Sequence, residues 1–393
     1  MRKMSFFLVL LGLLVFAYPI QAQQVCPGLA YVVNTPEDEL MQAVNGAEKP
    51  EEQIAALDKY AQAQADSKFM PCVDEYYTIT YLKLNNYDKV IEYGEKGLAS
   101  NHKDVMLMLN LLKGYVGSGK VADSAFDAIN QAPDQIKAEN NPAKPPTVTD
   151  DDWQKTLQDY AATAKDELAY VVYAFLQLVP RVSDPNKRIE QLDKFAKTFP
   201  DDAIKNAAQI NFDYFIAYRM ANKPDKATEY GEKTIATDPN NLTVHNVLAY
   251  DYAVGRTNTD KAVDYANKAI ELAQQMKKPE GVSDAQFKQD QDNQLGMAHL
   301  SLGYIDFVRA AKTKKLKPAI DELKTAAALL ETNPALQGQA LYYLGYAYES
   351  GYPANHRAAM EVLGKAANLE SPWKTQADEL LTKVKKAASG ASE

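Results

Sequence analysis

The chain has 393 residues, a hydrophobic fraction of 46% and a formal net charge of −9. That hydrophobic content excludes a disordered chain, and two cysteines exclude a small disulfide-stapled fold. Net acidity argues against nucleic acid as a partner, because phosphate contacts need clustered cations.

The first predicted element is a targeting segment over residues 1–22. Arg2 and Lys3 precede an apolar run from Phe6 to Ala17, Pro19 breaks it, and Ile20-Gln21-Ala22 offers a small-residue cleavage site. This order is that of a secretory signal peptide, and twelve apolar residues fall short of the roughly 20 that a membrane span needs. The expected protein is therefore exported, periplasmic or extracellular, with no stable membrane anchor after cleavage. Loss of Arg2 and Lys3 takes the net charge from −9 to −11. Later in the chain the longest apolar stretch, Tyr170 to Val179, suits a buried helix better than a span. Cys26 and Cys72 both fall in the exported part; in an oxidising compartment they form a bridge or both stay as buried thiols.

Thr35-Pro36 reads as a helix start, with Thr35 as N-cap and Pro36 at the first helical position. Further on, "YDKVIEYGEKGLAS" at 87–100 has a close copy, "PDKATEYGEKTIAT", at 224–237, 137 residues later. Tyr81 to Tyr115 matches Tyr218 to Tyr252 at that same offset, and "IAALDKYA" at 54–61 resembles "IEQLDKFA" at 189–196 at an offset of 135. Two copies of one module are thus expected, over about 50–131 and 185–275. Within each copy Tyr81 to Tyr115 and Tyr218 to Tyr252 span 34 residues, the length of a helix–turn–helix repeat. Residues 133–150 hold four prolines and read as a linker. Helix resumes at "TDDDWQ", whose acids suit a helix N-terminus. The expected organisation is a helical-repeat module at 23–132, the linker at 133–150, a second module at 151–385 and a frayed tail at 386–393.

"LYYLGYAYESG" at 341–351 carries Leu344-Gly345 and Tyr348, and "AAMEVLGKAANLESP" adds Ala359, Leu363, Ala366 and Pro372. Parts of the same pattern recur at Tyr218, Ala227 and Pro239, at Tyr252, Ala262, Ala266 and Ala269, and at Leu302-Gly303, Ala319, Ala326 and Pro334. The pattern resembles the tetratricopeptide repeat, in its exported bacterial type. Four units fall between 206 and 370, and two weaker ones near 71–100 and 105–131. Small residues such as Gly303, Gly345, Ala227, Ala262, Ala269 and Ala366 are expected where two helices approach closely. A single pair cannot bury its apolar face, so pairs stack. Val90, Gly94 and Gly231 depart from the family pattern; the two glycines are expected at close helix contacts.

The resemblance implies an all-α fold, a right-handed superhelical solenoid of antiparallel helix pairs. It also implies a non-enzymatic scaffold that binds a protein or peptide partner in its concave groove. Counting along the first helices places Arg219, Asn246, Tyr250, Tyr304, Gln339, Tyr342, Tyr346 and Glu349 in that groove, with Gln209, Phe212 and Thr243 beside them. Aromatic side chains with amide and charged neighbours suit peptides, and equally suit a glycan in an envelope uptake system.

Other signals read as structure. "GYVGSGK" at 114–120 matches a phosphate loop in part, but the stretch before it reads as a helix and Val121 stands where Ser or Thr is needed. His102, His245, His299 and His356 form no metal-ligand spacing, and "DQDNQ" at 290–294 lacks the turn glycine and distal Glu of a calcium loop. The latter reads as a solvated helix start. "KTKKLKP" at 312–318 is expected as a solvated turn, with docking of an acidic partner as its rival. No cofactor is expected, and an enzyme would need a site assembled from distant helices.

Overall fold

The computed structural model describes residues 31–100, 103–313 and 315–389. The expected signal segment at 1–22, Cys26, His102 and the last four residues lie outside these. Every regular element among the described residues is a helix. The chain divides into two compact units, one ending at Val182 and the next beginning at Ser183. The first holds α1 (Pro36–Gly46), α2 (Pro50–Ala63), α3 (Met70–Lys83), α4 (Tyr87–Ser100), α5 (Val105–Ser118), α6 (Asp123–Glu139) and α7 (Asp150–Leu178). The second holds α8 (Pro185–Thr198), α9 (Pro200–Lys205), α10 (Ala207–Met220), α11 (Pro224–Thr237), α12 (Leu242–Gly255) and α13 (Thr259–Gln274). It continues with α14 (Asp284–Thr313), α15 (Lys317–Leu329), α16 (Pro334–Glu349), α17 (His356–Asn368) and α18 (Lys374–Ala388). Each unit is an α-solenoid in which a helix packs on its neighbours in sequence. The pairs α10–α11, α12–α13, α14–α15 and α16–α17 are the four units expected between 206 and 370, and α3–α4 and α5–α6 the two before them.

Local chemistry sets the ends. Thr35 Oγ1 accepts from the Asp38 amide, Thr149 from Asp152, and Asn333 Oδ1 from Leu336, each satisfying one orphan donor of a first turn. Proline opens α1, α2, α8, α11 and α16, where its missing N–H costs nothing. Asn85 and Asn222, 137 residues apart, take matching left-handed turns at φ 52° and 53°, a conformation asparagine tolerates.

The repeated Glu-Tyr-Gly-Glu-Lys word has a distinct job at each position. Tyr93 stacks on Tyr77 at 4.0 Å, and Tyr230 on Tyr214 at 4.4 Å. Gly94 lets the Leu111 side chain in, since a Cβ there would lie 3.0 Å from Leu111 Cδ1; Gly231 does the same for Leu248 at 3.0 Å. Glu95 accepts from Tyr115 Oη at 2.5 Å and Glu232 from Tyr252 Oη at 2.6 Å, each tying a second helix to the next first helix. Lys96 and Lys233 lie 5.7 Å and 4.2 Å from the Tyr93 and Tyr230 rings, within cation–π range. One departure from the repeat pattern is compensated locally. Val90 takes a small-residue place, and Gly114 opposite it makes room, a Cβ there falling 2.9 Å from Val90 Cγ1. In the second copy the pair is reversed, with small Ala227 and larger Asp251.

Three expectations are corrected. Residues 133–150 are not a boundary: α6 continues through Pro133 to Glu139, and α7 packs on α5 and α6, Phe126 meeting Phe175 at 6.1 Å. Ile129, Ala132 and Ile136 are buried on both sides of the proline, so the helix survives one lost backbone bond. The division therefore falls after Val182. "DQDNQ" is no helix start but lies within α14. The tail expected to fray from 386 is helical to Ala388, with Lys385 and Lys386 in a last turn that favours cations.

Candidate functional site

The side chains expected in the groove sit on the first helices of the second unit. On α10, Arg219 pairs with Asp251 of α12 and lies 5.7 Å from the Phe215 ring. Burial pushes the Asp251 carboxyl pKa up, and Arg219 draws it back. On α12, Asn246 and Tyr250 are four residues apart and share a stripe. Asn246 Nδ2 donates to Gln294 Oε1 at 2.7 Å on α14, and Tyr250 Oη donates to Gln339 Oε1 at 2.9 Å on α16. Burial raises the Tyr250 phenol pKa. On α14, Tyr304 meets the Tyr343 ring edge-on at 4.8 Å, and the Arg256 guanidinium donates to its Oη at 3.4 Å.

Helix α16 carries Gln339, Tyr342, Tyr343 and Tyr346 at i, i+3, i+4 and i+7, one face by helical spacing. Tyr342 lies 5.2 Å from the Trp373 ring and 5.2 Å from Tyr343, and Phe307 of α14 lies 5.2 Å from Tyr346. Phe307, Tyr342, Tyr343 and Trp373 are half-buried, while Tyr346 is 42% exposed. Together they form a terrace of aromatic rings with one edge in water. At its end Glu349 accepts from His356 Nδ1 at 2.7 Å.

The structure thus divides the eight expected contacts. Asn246, Tyr304 and Gln339 are buried and bonded between helices, and the Tyr250 hydroxyl is committed to Gln339. These four link repeats and are not available as open ligand contacts. The residue count identifies a face, but how closely neighbouring first helices approach decides what stays open on it. Arg219, Tyr342, Tyr346 and Glu349 retain solvent access, Tyr346 most of all. Gln209 and Thr243 are exposed and Phe212 half-buried.

Sequence reasoning missed Phe307 and Trp373. Phe307 follows Tyr304 by three residues on the same helix, a visible signal; Trp373 sits in the turn before α18, where the repeat spacing assigns no role. Elsewhere, Gly119 of the partial phosphate motif caps α5 at φ 71° and donates to Tyr115 O at 3.0 Å, which makes it a helix end. Among the described histidines, His245 is buried, His299 pairs with Glu322 at 2.6 Å, and His356 with Glu349. Cys72 is fully buried in α3, while its expected partner Cys26 lies outside the described residues. No described helix is long and apolar enough to cross a membrane.

No family model matches the chain, and no curated protein sequence does. Among solved structures it is similar to the APC/C hetero-tetramer Cut9-Hcn1, at 12% identity and a TM-score of 0.29, over 90% of this chain and 91% of that one. A likeness so slight carries no argument about function.

Proposed function

We propose that the chain is an exported, non-enzymatic scaffold that binds a protein or peptide partner on the aromatic terrace of its second unit. The observation that carries this reading is the Tyr346–Phe307–Tyr342–Trp373 cluster, whose rings are held by packing yet keep a wet edge. Rigid aromatics of this kind bury much area at little entropic cost and dominate interface energies. Export rests on the order of residues 1–22, and the scaffold role on the repeat resemblance.

The test uses the mature chain as bait against envelope extract, with Tyr346→Ala as the comparison. Tyr346 is the most exposed ring of the cluster, so its truncation should leave the melting temperature nearly unchanged and weaken a captured partner by about 2 kcal/mol, roughly 30-fold. Unaltered affinity would remove the terrace from the binding surface. Capture that survives protease treatment of the extract but not periodate oxidation would replace a protein partner by a glycan.

A further inference from the structure

The two copies differ at one place where a difference leaves a hole. Helices α6 and α13 align at the same 137-residue offset: Asp123, Ala125, Asp127, Asn130 and Ala132 recur as Asp260, Ala262, Asp264, Asn267 and Ala269. Within this frame Ala128 stands where the second copy has Tyr265, and Ser124 where it has Lys261.

In the second copy both larger side chains converge on one carboxylate. Tyr265 Oη donates to Glu232 Oε2 at 2.6 Å, and Lys261 Nζ to Glu232 Oε1 at 3.0 Å. The Tyr265 ring lies 5.4 Å from His245 and 6.3 Å from Tyr252, and packs against the buried cluster that includes Leu248. The counterparts of Glu232, His245 and Leu248 are Glu95, Met108 and Leu111. These three line a cleft of about 270 Å³ between α4, α5 and α6, with Ala128 and Ser124 also in its wall. Glu95 Oε1 holds the Tyr115 and Ser124 hydroxyls at 2.5 and 2.7 Å, as Glu232 Oε1 holds Tyr252. Its Oε2, the atom that takes the phenol in the second copy, has no hydrogen bond among the described residues. In the second copy the Tyr265 ring stands at the place where this copy leaves the cleft.

Charge sharpens the fit. Lys261 and Lys268 of the second copy are replaced by Ser124 and Gln131, while the acids Glu95 and Asp127 remain on the rim. Two groups are therefore missing from one spot, a hydroxyaryl ring and a cation beside it. We infer that the α4–α5–α6 cleft binds a ligand that carries both, a hydroxyaryl ring seated between Met108 and Ala128 with its hydroxyl donating to Glu95 and an ammonium or guanidinium over the acidic rim. Such a group is supplied by a free aryl amine or by a tyrosine with a nearby basic residue in a polypeptide.

The experiment follows the Met108 methyl resonance of the mature chain, labelled with ¹³C-methyl methionine, on titration with tyramine. Met108 is buried in the cleft wall and reports occupancy directly. A saturable shift is expected. Phenethylamine, without the hydroxyl, and 4-ethylphenol, without the ammonium, should each bind about tenfold more weakly or worse, because a site built for a hydroxyl rejects the analogue lacking it. Ala128→Tyr fills the cleft from within and should abolish the shift, and Glu95→Gln should weaken tyramine by about tenfold. A peptide with Lys and Tyr four residues apart, the Lys261–Tyr265 spacing, distinguishes the source: tighter binding than tyramine assigns a polypeptide, weaker binding a free amine. An unmoved Met108 methyl, equal binding of the three small molecules, or tyramine binding retained in folded Ala128→Tyr overturns the inference. Should Ala128→Tyr not fold, Glu95→Gln decides, and unchanged affinity there overturns it equally.

Discussion

Gly303 offers a direct measure of what holds the helix pairs together. It lies in α14, and a Cβ built there would fall 2.7 Å from Leu323 Cγ, 2.9 Å from Leu323 Cδ2 and 3.1 Å from the Leu323 backbone nitrogen. Leu323 is fully buried in α15, so neither its side chain nor its backbone has room to retreat. Replacing a helical glycine with alanine is worth about 1 kcal/mol in helix propensity. Forcing a methyl into a filled core costs about 1–3 kcal/mol, and here a backbone atom is among the obstacles, which puts the cost at the upper end. Gly303→Ala should therefore destabilise by about 1–2 kcal/mol. Gly364 in α17 is the matched control: nothing lies within 4 Å of its Cβ position, so Gly364→Ala should stabilise by close to the full propensity gain of about 1 kcal/mol. Trp153 and Trp373 are the chain's two tryptophans, so in a Trp153→Phe background Trp373 fluorescence follows urea unfolding of the second unit alone. In a Leu323→Ala background the cost of Gly303→Ala should fall by about 1 kcal/mol or more, a coupling that a double-mutant cycle isolates. Equal stabilisation by Gly303→Ala and Gly364→Ala would refute the close approach as a stabilising contact.

Other expectations are open to equally plain tests. Burial pushes the Glu167 carboxyl pKa up to about 7, with Glu139 adding to the rise and a hydrogen bond from Asn140 Nδ2 at 3.0 Å opposing it. Between about 4.5 and about 7 the folded chain then keeps a proton that the unfolded chain has lost, so stability falls as pH rises through that window and levels off above 7. Glu167→Gln should flatten that slope and be the more stable form at pH 8; urea midpoints at pH 5 and pH 8 that shift as in the wild type would contradict it. For Cys26 and Cys72, labelling of the denatured, unreduced protein should find no free thiol, and two per chain would rule out the bridge. Mass spectrometry of the exported protein should find an N-terminus near Gln23, whereas intact Met1 in a membrane fraction would favour an anchor.

Fold class was legible in residues 206–370 because small and large side chains recur there at the spacing of a helix pair, and that spacing is a local property. Gly303 and Gly345 occupy the close approaches to Leu323 and Leu363, where the repeat pattern placed them. Likewise the duplicated Glu-Tyr-Gly-Glu-Lys word announced a repeated unit before any contact was known. The division of the chain was less visible, because proline marks a break only where packing on both sides is weak. At Pro133 the buried Ile129, Ala132 and Ile136 carry the helix through.

On the candidate site, position along the first helices was readable from the sequence, but accessibility was not. Asn246, Tyr250, Tyr304 and Gln339 share a face with Tyr346, yet the first four are spent on bonds and ring contacts between repeats. Burial depends on the distance between neighbouring helices, which long-range contacts set and no local spacing encodes. The same physics made Tyr265 and Ala128, two residues at equivalent positions, into a filled seat in one copy and an open cleft in the other. The sequence by itself determined the helices, their pairing and the duplication, since each follows from periodicity and small-residue placement. Only the tertiary structure decided which side chains close the face and which leave it open, because that depends on how much volume the facing helix supplies.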